Sequence, residues 1–300
     1  MNYEVKILSP VHIGTGKNIT PFEFAHTHDK FIVMDMDRLL EANPRRAEDL
    51  NRRLTQDALH FALSDFLTAD ELKNAECWTY CAALDLSTKK VLQEELRKAK
   101  NMDVAEQIKT GADAQLYLPG SSLKGALRTA FAYATLQQND ALLNDLKQRL
   151  RKVDWRSPDE AVNELIFWGA KHDPKYDLFK TLRISDSSPL PANEHTLEIG
   201  KMKILSLSSA SKKSAPVAPA QKGTMYAQLQ ALRSKTAAAP PLKFWWTLQE
   251  VLKPGIAFQG DIEIEQRLLR ETNAKKILGW KEQQQQFELQ TLIAAANTFA

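Results

Sequence analysis

Between Leu116 and Arg128 the chain changes its hydrophobic period within a few residues. Leu116-Tyr117-Leu118 is extended and Pro119-Gly120 closes it. From Ser121 onward Leu123, Ala126, Leu127, Ala130 and Phe131 recur at three- and four-residue steps. A strand that turns directly into a helix commits the chain to a β–turn–α unit. It also leaves the first-turn amides of the helix unpaired at the positive end of its dipole. Ser121 or Ser122 is placed to cap that helix. Lys124 in the first turn and Arg128 four residues on share a face, and together they make an anion site suited to phosphate. The order is not that of a Walker A loop: the lysine precedes Gly125 and no Ser or Thr follows it to hold Mg²⁺, which excludes an ATPase. Taken alone, the string is also what an ordinary well-capped helix looks like.

The same periodicity reasoning extends along the chain. Tyr3 to Ser9 alternates as a half-buried strand, Pro10 ends it, and His12-Ile13-Gly14-Thr15-Gly16 follows as a glycine-punctuated loop. Phe31 to Met34 is a further strand. A helical tract starts at Pro44 and carries Leu50, Leu54, Ala58, Phe61, Ala62 and Phe66. A second helix is expected over Lys89–Ile108. More helix is expected at Asn139–Lys152 and Pro158–Trp168. Strands are expected at Leu182–Ser185, Met202–Leu207, Phe244–Leu248 and Phe258–Ile264. Strands that flank helical insertions predict an α+β fold.

Three hundred residues, 43% hydrophobic and 26% charged, suffice for a sizeable core and exclude collagen-like, disulfide-rich and wholly disordered classes. Cys77 and Cys81, four apart in a stretch with helical spacing, are too few for a disulfide scaffold and read as reduced, packed thiols. The N-terminus lacks a signal-peptide pattern and no apolar run is long enough to span a membrane, so a cytoplasmic, soluble chain is expected.

The net charge of +3 hides segregation. Lys201 to Gln249 holds eight basic residues, among them Lys212 and Lys213, and no acid; +3 less those eight leaves the remainder at −5. The Ser/Ala/Pro-rich stretch from Ser206 to Gln221 reads as a mobile loop. A solvated linker fits it, but the complete lack of acids favours attraction to a polyanion.

Pro119-Gly120-Ser121-Ser122-Leu123-Lys124-Gly125-Ala126-Leu127-Arg128 closely resembles the signature of the RAMP superfamily, the RNA-binding proteins of CRISPR effector complexes. Leu8-Ser9-Pro10-Val11-His12-Ile13-Gly14-Thr15-Gly16 is similar to that family's first strand and glycine loop. Pro21 to Phe24, Phe31 to Leu40, Leu182 to Ser187 and Leu252 to Gly260 follow in the family's order. As a set they resemble the type III-A (Csm-type) subunit that caps the backbone filament at the 3′ end of the guide RNA. The resemblance implies a modified ferredoxin-like (RRM-like) RAMP fold. Its expected parts are a domain over 1–200 with a helical insertion at about 41–110, a basic mobile loop over 201–243, and C-terminal strands and helix over 244–300. Because the family's C-terminal glycine-rich motif is missing and the last helical pattern runs uncapped to Phe299-Ala300, this second half is expected to be partial and truncated.

The resemblance further implies binding of the 3′ portion of crRNA, a part in crRNA maturation by 3′ trimming, and no catalysis or cofactor. The implied partners are crRNA, other RAMP backbone subunits and a trimming nuclease, with no membrane. His12, Gly14, Gly16, Gly120, Ser121, Ser122, Lys124, Gly125, Arg128, Lys212 and Lys213 are the implied RNA-binding residues. Glycines let main chain approach phosphate and turn amides into donors. Such contacts hold RNA without reading its sequence.

Other motifs have competing readings. His12 suits acid–base cleavage of an RNA precursor, since imidazole titrates near neutral pH, but no Lys or Tyr partner accompanies it. This metal-independent endoribonuclease is the alternative to the scaffold. His26-Thr27-His28-Asp29 lacks the further ligands of a metal site and reads as a polar turn. Asp37 is placed to cap the helix at Arg38-Leu39-Leu40. RAMP subunits that cut target RNA use an aspartate near the N-terminus. The comparable stretch Pro21–Ala25 has Glu23 and no Asp, so no target cleavage is expected. Phe244-Trp245-Trp246 fits base stacking or, more plainly, burial in a strand. The run Gln283–Gln286 reads as an exposed helix face.

Overall fold

A computed structural model describes residues 1–57, 61–98, 103–151, 158–169, 174–205, 242–271, 279 and 287–299. Its strands, in chain order, are β1 (Asn2–Lys6), β2 (Gly14–Ile19), β3 (Phe24–His26), β4 (Lys30–Met34), β5 (Trp78–Ala83), β6 (Val104–Gln107), β7 (Lys109–Thr110), β8 (Gln115–Leu116), β9 (Leu182–Ile184), β10 (Leu197–Leu205), β11 (Leu242–Leu252) and β12 (Ala257–Ile264). Its helices are α1 (Met36–Ala42), α2 (Arg45–Asp57), α3 (Leu63–Phe66), α4 (Ala69–Lys73), α5 (Leu86–Arg97), α6 (Gly120–Gln138), α7 (Asp140–Leu150), α8 (Pro158–Val162), α9 (Gln266–Arg270) and α10 (Leu289–Phe299). The α+β expectation holds. The chain divides into two compact units, each assembled from separated segments.

The first unit comprises residues 1–6, 116–190 and 257–300. β12 pairs antiparallel with β1 on one side and β9 on the other. Alternation in β12 sends Phe258, Ile262 and Ile264 into the core and leaves Gln259, Asp261 and Glu263 exposed. Behind the sheet, α6 brings Ala130 and Phe131 against α10, α7 and the Leu165–Phe167 turn. Phe131, Phe167, Phe179 and Phe287 form the centre, with ring centroids 5.1–6.2 Å apart.

The second unit comprises residues 7–115 and 191–256. Its seven-stranded sheet runs β2-β6-β11-β10-β5-β4-β3 and is mixed: β6–β11 and β10–β5 are parallel, the other pairs antiparallel. Ala25, Ile32, Met34, Leu39, Leu63, Phe66, Cys77 and Cys81 make one of its cores.

Several local expectations are corrected. The Cys77–Cys81 spacing is not helical: Cys81 lies on β5, whose aromatic and small residues are packed between β4 and β10. The helix expected over Lys89–Ile108 ends at Arg97 and gives way to β6. The loop after His12 is extended from Gly14 onward, as β2. Asp35, not Asp37, caps α1, its carboxylate accepting from Arg38 N–H at 3.1 Å. The middle of the basic stretch, with Lys212 and Lys213, and the glutamine run lie outside the described residues.

Candidate nucleic-acid interface

The residues expected to hold phosphate fall in both units: Gly120 to Arg128 in the first, His12 to Gly16 in the second. In the first unit, helix α6 starts one turn-position earlier than the serines suggested. Pro119 is the N-cap, has no side chain to accept from the helix, and is followed by Gly120 as the first helical residue. Neither Ser121 nor Ser122 caps. The carboxylate of Asp186 does part of that work, accepting the Gly120 N–H at 2.8 Å. A negative group therefore already sits at the positive end of α6. Gly120 is required there, because a Cβ would lie 2.3 Å from the Ile184 carbonyl oxygen.

The two cations do not stand free. Arg128 forks onto Asp177 (Nη1 2.9 Å, Nη2 2.7 Å), donates to Asn163 at 2.9 Å, and stacks 3.6 Å above the Phe167 ring. Planar, bidentate and stacked, it is a structural arginine tying α6 to the Asp177 turn. Lys124 is half-buried and its ammonium donates to the Leu182 carbonyl at 2.7 Å. Burial lowers its pKa, with Arg128 adding to the effect and Asp177 opposing it.

What the first half of α6 offers to solvent is small: Ser121, Ser122, Gly125, Ala126 and Thr129 are exposed there. Gly125 differs from Gly120 in kind. Nothing lies within 4 Å of where its Cβ would be, and its φ is not in the left-handed region. Inside a helix such a glycine costs about 1 kcal/mol relative to alanine. No contact within the fold asks for it.

In the second unit, β2 is an edge strand on which Gly14 to Asn18 are exposed. Its pairing with β6 is broken between Gly14 and Asn18, and Gly16 sits at φ 81° in the gap, where glycine is favoured. The Thr15 hydroxyl donates to Glu106 at 2.9 Å and accepts from Lys17 N–H at 3.0 Å. Lys17, absent from the expected set, is exposed on the same edge; its signal was its place beside Gly16. His12 is half-buried. Its Nδ1 donates to the Glu250 carbonyl at 2.7 Å, and a Cβ on Gly14 would lie 2.7 Å from Nε2. The ring is thus a wedge under β2.

The other motifs resolve as structure. Glu23 folds back on its own turn, one carboxylate oxygen accepting from both Thr20 N–H and Thr20 Oγ at 2.8 Å. His26 is half-buried with Nδ1 3.0 Å from Ser64 Oγ. Its pKa is lowered by burial and then by Lys89. No group of three or more His, Cys, Asp or Glu among the described residues could hold a metal ion. The Cys81 thiol is pushed up to about 11 by burial and by Glu194, a poor nucleophile. Trp246, on β11, is half-buried under the Lys201 ammonium at 4.4 Å.

The sequence profile of the RAMP superfamily matches residues 4–298. The chain belongs to the RAMP superfamily. It is 31% identical over 189 residues to the Streptococcus thermophilus protein described as "CRISPR system Cms protein Csm5". That alignment covers 61% of this chain and 50% of the relative, so the chain spans about half the length of the curated relative it matches. Among solved structures it resembles the crystal structure of T. onnurineus Csm5, with a TM-score of 0.61 at 19% identity, covering 99% of this chain and 78% of the other. It also resembles a chain in the cryo-EM structure of a Csm-crRNA-target RNA ternary complex from a type III-A CRISPR-Cas system, at TM-score 0.58 and 21% identity. There the coverage is 100% of this chain and 75% of the other. The RAMP fold is thereby shown. No helix among the described residues is long and apolar enough to cross a membrane.

Proposed function

We propose that this RAMP protein is a Csm5-like subunit of a cytoplasmic type III-A CRISPR effector. It binds the 3′ portion of crRNA, caps the backbone filament beside other RAMP subunits, and supports 3′ trimming by a separate nuclease without cutting RNA itself. The Csm5 relative and the crRNA-bound Csm complex among its structural neighbours support the class of partner. Within this chain, one observation carries the reading: Gly125, exposed on α6 beside Ser121 and Ser122, with open space where a side chain would stand. A notch in a helix surface that the fold does not need is what close approach by a sugar–phosphate chain needs, with flanking hydroxyls to meet it.

The contacts proposed are the Ser121 and Ser122 hydroxyls, the Gly125 notch, the exposed β2 edge at Gly14 and Gly16, and the basic residues Lys17, Lys212 and Lys213. Lys124 adds charge from beneath. Gly120, His12 and Arg128 act by holding these elements in place. An endoribonuclease centred on His12 gains no support, because Nδ1 is tied to a main-chain carbonyl and Nε2 lies against Gly14.

Gly125→Ala tests the reading. It is expected to raise stability by about 0.5–1 kcal/mol in urea unfolding and to weaken binding of a labelled repeat–spacer RNA. Higher stability with unchanged RNA affinity would mean that nothing approaches this face of α6.

A further inference from the structure

Among the described residues, Glu250 is the one fully buried acid, at 0% exposed, and it lies on β11 in the interior of the seven-stranded sheet. It forms an ion pair with Lys109, whose side chain is 6% exposed. The Lys109 ammonium also donates to the Gln107 carbonyl at 3.1 Å and sits 4.2 Å over the Tyr80 ring. A buried ion pair gives up hydration that an apolar pair of the same size would not, so its presence needs another reason.

The hydrogen bonds around the pair converge on one stretch of backbone. One Glu250 carboxylate oxygen accepts the Gln107 N–H at 2.9 Å. The Gln107 side chain, itself fully buried, accepts the Ile13 N–H at 2.8 Å, and Ile108 N–H donates to the Ile13 carbonyl at 2.8 Å. The main-chain carbonyl of Glu250 holds the His12 ring at 2.7 Å. Next along the strand, Val11 and Leu252 exchange backbone bonds at 3.3 and 2.7 Å. Residues 11 to 13 are therefore fixed from below, whereas Gly14 to Asn18 beyond them are exposed and the pairing with β6 is broken between Gly14 and Asn18.

We propose that Glu250 is a positioning residue for RNA. With Lys109 and Gln107 it sets the path by which Val11–Ile13 delivers β2 to the sheet edge, and so the shape of the surface that β2 offers to phosphate. The inference rests on the RNA-binding reading of that edge.

Three variants of the full 300-residue chain test it: Glu250→Gln, the apolar pair Glu250→Leu with Lys109→Met, and Lys17→Glu on the exposed edge. The readouts are melting temperature, hydrogen exchange at the Ile13 and Ile108 amides, and affinity for a labelled single-stranded RNA. The apolar pair should melt as the parent does. Both Glu250 variants should nevertheless exchange faster at Ile13 and Ile108 and bind RNA about tenfold more weakly. An apolar pair that melts like the parent and keeps parental affinity overturns the positioning role, and so does Glu250→Gln with parental exchange and affinity. If Lys17→Glu weakens binding in that case, only the role of Glu250 fails. If Lys17→Glu leaves affinity unchanged, the β2 edge is not an RNA surface, and the reading beneath the inference fails with it.

Discussion

Arg128 shows how a side chain can satisfy a motif while doing something else. Its position four residues after Lys124 was legible in the sequence. Its partner was not, because Asp177 lies 49 residues away and reaches it only through the fold. Arg128→Lys keeps the charge but cannot reproduce the fork or the stack on Phe167. A loss of about 2 kcal/mol in urea unfolding is expected, with RNA affinity of the folded protein little changed. Unchanged stability with weaker RNA binding would return this arginine to the phosphate site.

Glu71 gives a second prediction at the same scale. It closes a capping box with Thr68 and takes a bidentate ion pair from Arg46, which holds its pKa at about 2, well below the ordinary 4.5. A depressed carboxylate stabilises the fold above its unfolded pKa and ceases to as pH falls through the folded one. Glu71→Gln should therefore cost about 1 kcal/mol at pH 7. In urea titrations repeated at each pH, the gap to the parent should close between about pH 4.5 and pH 2. A gap independent of pH would mean that the carboxylate is not charged in this pair.

At the scale of elements, the start of α6 is decided by backbone crowding. Gly120 packs against the Ile184 and Ser185 carbonyl oxygens, which would lie 2.3 and 2.8 Å from a Cβ at that position. Gly120→Ala should lower stability by about 3 kcal/mol, opposite in sign to Gly125→Ala five residues on. Equal effects at the two glycines would contradict the distinction between a glycine the fold needs and one it does not. The sequence marked both positions alike, since a glycine's neighbours are tertiary. The helices with clear caps and the strands near Pro or Gly were legible: α7 begins after Asn139, and β9 and β12 lie within a residue or two of their expected spans. β5 and β6 were not. β5 is paired on both sides and largely buried, so it lacks the alternation that betrays a half-exposed strand. β6, which falls within the helical pattern expected over Lys89–Ile108, is a strand because β2 and β11 bracket it.

At the scale of the molecule, the RAMP fold was legible from a handful of glycine- and proline-punctuated strings kept in order, since those mark where backbone must turn or come close. The proposed site was legible only in part. The string at Pro119–Arg128 marked the start of α6, but the cations it emphasised turn inward, and the surface exposed there is made of Ser121, Ser122, Gly125, Ala126 and Thr129. The interface proposed there would grip the RNA backbone and be blind to base identity. The direct measurement is the affinity of the purified chain for two unrelated single-stranded RNAs of equal length, across a series of salt concentrations. The account predicts equal dissociation constants for the two RNAs and parallel, steep weakening with salt, with a slope of about −0.7 per phosphate neutralised. Tight binding of one RNA alone, or affinity indifferent to salt, would contradict it.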